Sequence, residues 1–104
     1  MTYKNLILEE DGSIAIITIN RPKSLNALNS EILRELAAVI DYVAINSEIK
    51  GLIITGSGKA FVAGADITQI QHYNSEEGVA YADFAQKTFN KIESLEKPVI
   101  AAVN

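Results

Sequence analysis

The sequence predicts an α/β fold. Three observations carry that prediction: β-rich apolar runs at residues 6–8, 14–19, 51–56 and 99–104, two intervening stretches with apolar residues at helical spacing, and a small-residue loop at 63–67 placed between a strand and a helix start.

Leu6-Ile7-Leu8 and Ile14-Ala15-Ile16-Ile17-Thr18-Ile19 are joined by Glu9-Glu10-Asp11-Gly12-Ser13, where Asp11-Gly12 is a hairpin signal. The chain is therefore expected to open with two antiparallel strands. Residues 21–29 read as a loop, because Pro22 lacks a ladder donor and Asn26 and Asn29 favour turns and caps. From Ser30, residues Ile32, Leu33, Leu36, Val39, Ile40 and Val43 recur at helical spacing, with Asn29 or Ser30 as the cap. Gly51-Leu52-Ile53-Ile54-Thr55-Gly56 reads as a short buried strand, which implies a sheet covered on both faces. Ser75 with Glu76 and Glu77 suits a capped, dipole-matched helix start. Tyr81, Phe84, Thr88, Ile92 and Leu95 then trace one face until Lys97-Pro98 stops the helix. Val99 to Asn104 reads as an apolar strand running to the last residue, so the domain looks interrupted where a functional loop would begin.

Composition narrows the function. With 104 residues, 48% hydrophobic and 21% charged, the chain fits one compact domain rather than a disordered segment. A net charge of -4 with nine scattered basic residues argues against electrostatic binding to nucleic acid or an anionic membrane. No cysteine and a single histidine exclude disulfides, thiolate metal sites and an imidazole cluster, and are compatible with a reducing cytoplasm. The opening residues Met1-Thr2-Tyr3-Lys4-Asn5 show no signal-peptide pattern, and no apolar run approaches the roughly 20 residues that span a bilayer.

The most informative stretch is Lys59-Ala60-Phe61-Val62-Ala63-Gly64-Ala65-Asp66-Ile67. Gly64 and Ala65 let backbone approach a bound group closely, and Asp66 can cap the first turn of a helix whose free N–H groups suit an anion or a developing oxyanion. Ordinary loop and cap chemistry uses the same residues, so both readings stand at this point. Gly56-Ser57-Gly58-Lys59 fails as a P-loop, since position 53 is Ile and position 60 is Ala. His72 has no partner at fixed spacing and reads as an exposed polar residue. Lys23 and Arg21 flank Pro22, where a lysine reaches a phosphate as a point charge or merely faces solvent.

Three segments together carry a resemblance: Asn20-Arg21-Pro22-Lys23-Ser24-Leu25-Asn26-Ala27-Leu28, Phe61-Val62-Ala63-Gly64-Ala65-Asp66-Ile67, and Lys97-Pro98-Val99-Ile100-Ala101-Ala102-Val103-Asn104. In order and spacing they resemble the crotonase, or enoyl-CoA hydratase/isomerase, superfamily. That resemblance implies the N-terminal part of a spiral of ββα units, with residues 1–104 a truncated domain lacking its C-terminal half. It further implies that the Ala65 backbone N–H is one of two donors holding the thioester oxygen of an acyl-CoA as it becomes an enolate. One such donor is worth about 3 to 4 kcal/mol in the transition state. Lys23, Ser24, Leu25, Ala63, Asp66 and Ile67 fall at positions lining the coenzyme A groove, with coenzyme A present only as part of the substrate and no metal.

In relatives of this kind the second donor follows the position of Asn104, and two catalytic glutamates lie further on. The implied activity of the parent is hydration of trans-2-enoyl-CoA to 3-hydroxyacyl-CoA, with isomerase chemistry as an alternative, and full-length relatives form trimers and hexamers. The 104 residues alone are expected to be inactive. Ser24, where alanine is frequent, and Thr68 and Gln69, which bring no cation, depart from the family pattern. From a different class, a stand-alone α/β ligand-binding or interaction module would explain the short length without chemistry.

Overall fold

A computed structural model describes residues 3–104; Met1 and Thr2, the head of the segment scanned for a leader, lie outside the described residues. Strands β1 (Leu6–Asp11) and β2 (Ile14–Ile19) form an antiparallel hairpin with Asp11 paired to Ile14. The first strand runs three residues further than its apolar start suggests, leaving a two-residue turn. Gly12 takes φ +60° at the first turn position, where glycine fits the right-handed twist of a tight hairpin.

After a 3-10 turn at Pro22–Ser24 comes helix α1 (Ser30–Ile45), which crosses back to β3 (Gly51–Gly56). The short helix α2 (Ile67–Ile70), the long helix α3 (Ser75–Glu93) and strand β4 (Val99–Ala102) complete the order. The sheet runs β1-β2-β3-β4, with β3 parallel to both β2 and β4.

Helix α1 owes its place to its pattern. Ile32, Leu33, Leu36, Val39, Ile40 and Val43 are all buried, packed in one core with Ala15, Ile17 and Ile19 of β2 and Leu52 and Ile54 of β3. Asn29 is the cap, its side chain accepting the Ile32 N–H at 2.8 Å. At the other end Lys97 closes the helix from a distance: its ammonium donates to the carbonyls of Val43 and Asn46, the latter at 2.8 Å. A cation there meets the negative end of the helix dipole and satisfies carbonyls that have no helical partner. Lys97→Met is expected to lower stability by about 1 to 2 kcal/mol, read as a lower urea midpoint at unchanged slope.

Four expectations need correction. Among the described residues the sheet is covered on one face: in β2 and β3 the residues facing α1 are buried, whereas Ile16, Thr18, Ile53 and Thr55 are half-exposed and β4 is largely exposed. The apolar run of β3 carried no information about what lies over its second face. Helix α3 is capped by Asn74, not by Ser75. The Asn74 side chain accepts the Glu77 N–H while the Glu77 carboxylate accepts the Asn74 N–H, a reciprocal box that one residue of register makes possible.

The far end of α3 also differs, since the helix stops at Glu93 and Ser94 caps it, four residues before Pro98. Of its predicted face only Thr88 is buried, and Tyr81, Phe84, Ile92 and, beyond the helix, Leu95 pack partly against the core. Strand β4 likewise ends at Ala102, and Asn104 turns its amide to the Gly58 carbonyl.

Candidate functional site

Two loops meet beside the carboxyl ends of β2 and β3. The first, at residues 20–28, is built around Asn26, which is fully buried. Its side-chain oxygen accepts the Arg21 N–H at 2.8 Å, and its amide donates to the carbonyls of Ser57 at 2.8 Å and Ala60 at 2.7 Å. All the strong hydrogen-bonding capacity of that side chain except one lone pair is used, so the loop cannot drift. The hold is firm enough to keep two consecutive residues, Leu25 (φ 52°) and Asn26 (φ 58°), in the left-handed region, which for leucine costs about 1 to 2 kcal/mol.

The second loop, residues 60–66, lies alongside. Ala63 donates its N–H to the Leu25 carbonyl at 3.1 Å, Leu28 donates to the Gly64 carbonyl at 2.8 Å, and Asp66 donates to the Leu28 carbonyl at 2.9 Å. The last two bonds make a parallel bridge between Leu28 and Ala65. In such a bridge one residue supplies both bonding groups and the two neighbours of its opposite number answer them. Leu28 is the bonded residue here, so the N–H and C=O of Ala65 face the other way. That N–H donates to no acceptor among the described residues, and Ala63, Gly64 and Ala65 are exposed. Gly64 makes the geometry possible with φ +131°, a conformation that side chains rarely adopt.

The sequence placed this donor at a helix start, and the structure refines that. Helix α2 is a single turn, and its cap is Asp66, which accepts the Thr68 N–H at 3.1 Å; the Asp66 and Gln69 N–H groups are also paired within the chain. Ala65 precedes the cap, so its amide is a loop donor aimed outward and owes little to a dipole.

The seven residues named from the sequence come together. Lys23, Ser24 and Leu25 stand on one loop and Ala63, Ala65, Asp66 and Ile67 on its neighbour, with Lys23 and Leu25 exposed and Ile67 70% exposed. Asp66 alone turns inward. Its carboxylate is paired to the Arg21 guanidinium at 3.0 Å and hydrogen-bonded by the Thr68 hydroxyl. Arg21, Asn26 and Tyr81 complete the arrangement without having been singled out as site residues. The Tyr81 hydroxyl donates to the Leu28 carbonyl at 2.7 Å, and burial foremost raises its pKa. Apart from the local Arg21–Asn26 bond, their partners lie 31 to 53 residues away in sequence, at spacings that carry no local signal.

The bonds from Thr68 and then Arg21 hold the Asp66 carboxyl below its usual value, against an opposing push from burial. Because the folded pKa lies below the unfolded one, the stabilisation is present above the unfolded value and vanishes as pH falls through the folded one. Acid unfolding of the chain is therefore expected to lose slope in Asp66→Asn only in the window below the ordinary aspartate range. A difference between the two curves at neutral pH that stays constant down to pH 2 would contradict this.

An apolar cavity of about 530 Å³ lies behind the loops, between α3 and the sheet, lined by residues such as Leu28, Ile54, Phe61, Phe89 and Val99. Residues 63–67 do not line it. Among the described residues no group of histidine, cysteine and carboxylate side chains is arranged to hold a metal, and no helix is long and apolar enough to cross a membrane.

Comparison with known proteins decides the family. The model of the enoyl-CoA hydratase/isomerase family matches residues 9–104. The chain belongs to that family. It is 50% identical over 105 aligned positions to the short-chain-enoyl-CoA hydratase of Clostridium acetobutylicum and 48% identical to the crotonyl-CoA hydratase of Syntrophomonas wolfei. In each case all of this chain aligns with 40% of the relative. A crystal structure of an enoyl-CoA hydratase from Bacillus anthracis superposes with a TM-score of 0.94 at 30% identity, over 97% of this chain and 40% of that one. The chain thus has the fold of part of these hydratases and spans about two fifths of their length.

Proposed function

We propose that this chain supplies the acyl-CoA binding loops and one oxyanion donor of an enoyl-CoA hydratase. The observation that carries the reading is the outward, unpartnered N–H of Ala65, beside the exposed loop of Lys23, Ser24 and Leu25. A fixed donor aimed at a thioester oxygen stabilises the charge that develops there when the α-carbon becomes carbanion-like, as it must when water adds across the conjugated double bond. The adjacent loop brings a lysine for a phosphate and an exposed leucine for an apolar linker or ring. Asp66, being buried and paired, contributes through its backbone and its neighbours.

In this reading residues 1–104 form part of a crotonase-like domain, and the reaction is reversible hydration of a trans-2-enoyl-CoA in the cytoplasm. Coenzyme A enters only as part of the substrate, and the whole protein is a homo-oligomer. The names and identities of the relatives support the reaction class.

The reading is tested by titrating the ¹⁵N-labelled chain with crotonyl-CoA and, separately, with free coenzyme A. Residues 23–25 should shift with both ligands, and the Ala65 amide only with the thioester. An Ala65 resonance unmoved at saturating crotonyl-CoA would overturn the proposal. With one donor in hand, the 104 residues are expected to bind crotonyl-CoA without hydrating it faster than buffer does.

A further inference from the structure

We propose that Arg21 and Asp66 are positioning residues whose ion pair sets the direction of the Ala65 N–H. The inference rests on the oxyanion reading of that amide and asks what aims it. Three backbone hydrogen bonds hold the segment carrying Ala65: Ala63 to Leu25 on the far side of Gly64, and, flanking Ala65 itself, Leu28 to Gly64 and Asp66 to Leu28, both of which converge on the single residue Leu28. Two bonds to one residue define an axis. Rotation of the segment about that axis would stretch neither bond much, yet it would swing the outward N–H through a wide arc. The Ala63 bond lies beyond Gly64, the most freely rotating residue of the loop, so an attachment off the axis on the Asp66 side is needed to fix it.

The Arg21–Asp66 pair supplies it on that side. Asp66 divides its two carboxylate oxygens between separate tasks: Oδ1 takes the Thr68 N–H and hydroxyl, which is the cap of α2, while Oδ2 takes the Arg21 guanidinium at 3.0 Å. Arg21 is anchored in turn. Its N–H donates to Asn26 Oδ1 at 2.8 Å, its carbonyl accepts from Asn26 at 2.9 Å and from Ser24 at 3.0 Å, and the same Nη1 that meets Asp66 reaches the Ala27 carbonyl at 3.4 Å. The guanidinium therefore ties the residue next to Ala65 to the buried Asn26 latch. With side-chain exposures of 24% for Arg21 and 10% for Asp66, solvent screens the pair less than a surface contact. By contrast Lys87–Asp83 and Lys91–Asp41 lie on the exposed surface and fix nothing of this kind.

A plain capping role for Asp66 predicts something different. Asp66→Asn keeps an oxygen for the Thr68 cap and removes the charge that meets Arg21, so it separates the two tasks. The experiment uses the ¹⁵N-labelled chain as wild type, Asp66→Asn, Arg21→Met, the double variant and Arg21→Lys. Backbone order parameters are measured without ligand. The carbonyl stretch of crotonyl-CoA labelled with ¹³C at the thioester carbon is measured bound.

Wild type should show an order parameter at Ala65 above about 0.8, falling below about 0.6 in Asp66→Asn and in Arg21→Met. The double variant should be no worse than either single one, since the two residues act through one contact. Arg21→Lys should recover part of the order. The downshift of the bound carbonyl should shrink at least twofold in both single variants, with affinity changed less than threefold. If Arg21→Met does not fold, Arg21→Lys and Asp66→Asn carry the test. A wild-type carbonyl downshift and Ala65 order that survive in both would overturn this proposal alone. A wild-type chain that gives no downshift would remove the oxyanion reading itself.

Discussion

Gly56→Ala is expected to destabilise the chain by about 3 kcal/mol, among the largest effects of a single methyl group in this fold. Gly56 ends β3 opposite Ile19, and a Cβ there would stand 2.5 Å from the Ala60 carbonyl oxygen, 2.6 Å from that of Phe61 and 2.9 Å from the Asn26 side-chain nitrogen. None of these three atoms is the far end of a flexible side chain. Two are backbone, and the third is held between the Ser57 and Ala60 carbonyls. Overpacking of this sort costs about 1 to 3 kcal/mol, and unpairing a buried amide adds a comparable amount.

The measurement is urea unfolding at fixed slope, with Gly78→Ala as the contrast. Gly78 lies within α3 with open space at its Cβ position, so alanine there should stabilise by about 0.5 to 1 kcal/mol. A Gly56→Ala chain within 1 kcal/mol of wild type would mean that the 56–61 turn yields, and the buried-latch account of Asn26 would fall.

The contrast between those glycines reflects how much of this fold is legible in the sequence. Helix α1 is legible because its partner is implied by its own period: six apolar residues on one stripe require a core, and the β-branched runs supply one. The hairpin is legible because Asp11-Gly12 is a local signal with a local consequence. Helix α3 and strand β4 are only half legible. Their apolar residues specify burial without specifying by what, and in these 104 residues much of that surface stays exposed, Val79 of α3 at 69% and Ile100 of β4 at 60%.

The site divides in the same way. Ala65 and its neighbours could be named because a small-residue loop has a chemical meaning and because three ordered segments resemble one family. Asn26 could not, since an asparagine in a polar loop looks like any other until the Ser57 and Ala60 carbonyls are brought to it by the fold. Asp66 reads from the sequence as a helix cap, which it is, but its second oxygen has a partner 45 residues earlier that no local pattern reveals.

Gly64→Ala should leave the fold standing and remove the function proposed for the loop. Nothing lies within 4 Å of the position a Cβ would take, so the substitution meets no steric wall. The cost is in the backbone: φ +131° is accessible to glycine and strained for alanine by about 1 to 3 kcal/mol. The chain can hold that strain or relieve it. Relief requires rotating the residue whose carbonyl accepts from Leu28, and the next N–H along the chain is that of Ala65.

Exposed loops yield more readily than buried ones, and Ala63, Gly64 and Ala65 are exposed, so the loop is expected to turn. Stability should then fall by no more than about 1 kcal/mol, the lower end of the strain of an unrelieved residue. The Ala65 amide should cease to respond to crotonyl-CoA while residues 23–25 continue to respond to coenzyme A. In a complete hydratase carrying this loop, loss of one aimed donor corresponds to about 10² to 10³ in kcat. The opposite pattern, a large loss of stability with the Ala65 response intact, would show that the loop is held rigid by its neighbours and that Gly64 serves packing rather than the aim of the amide.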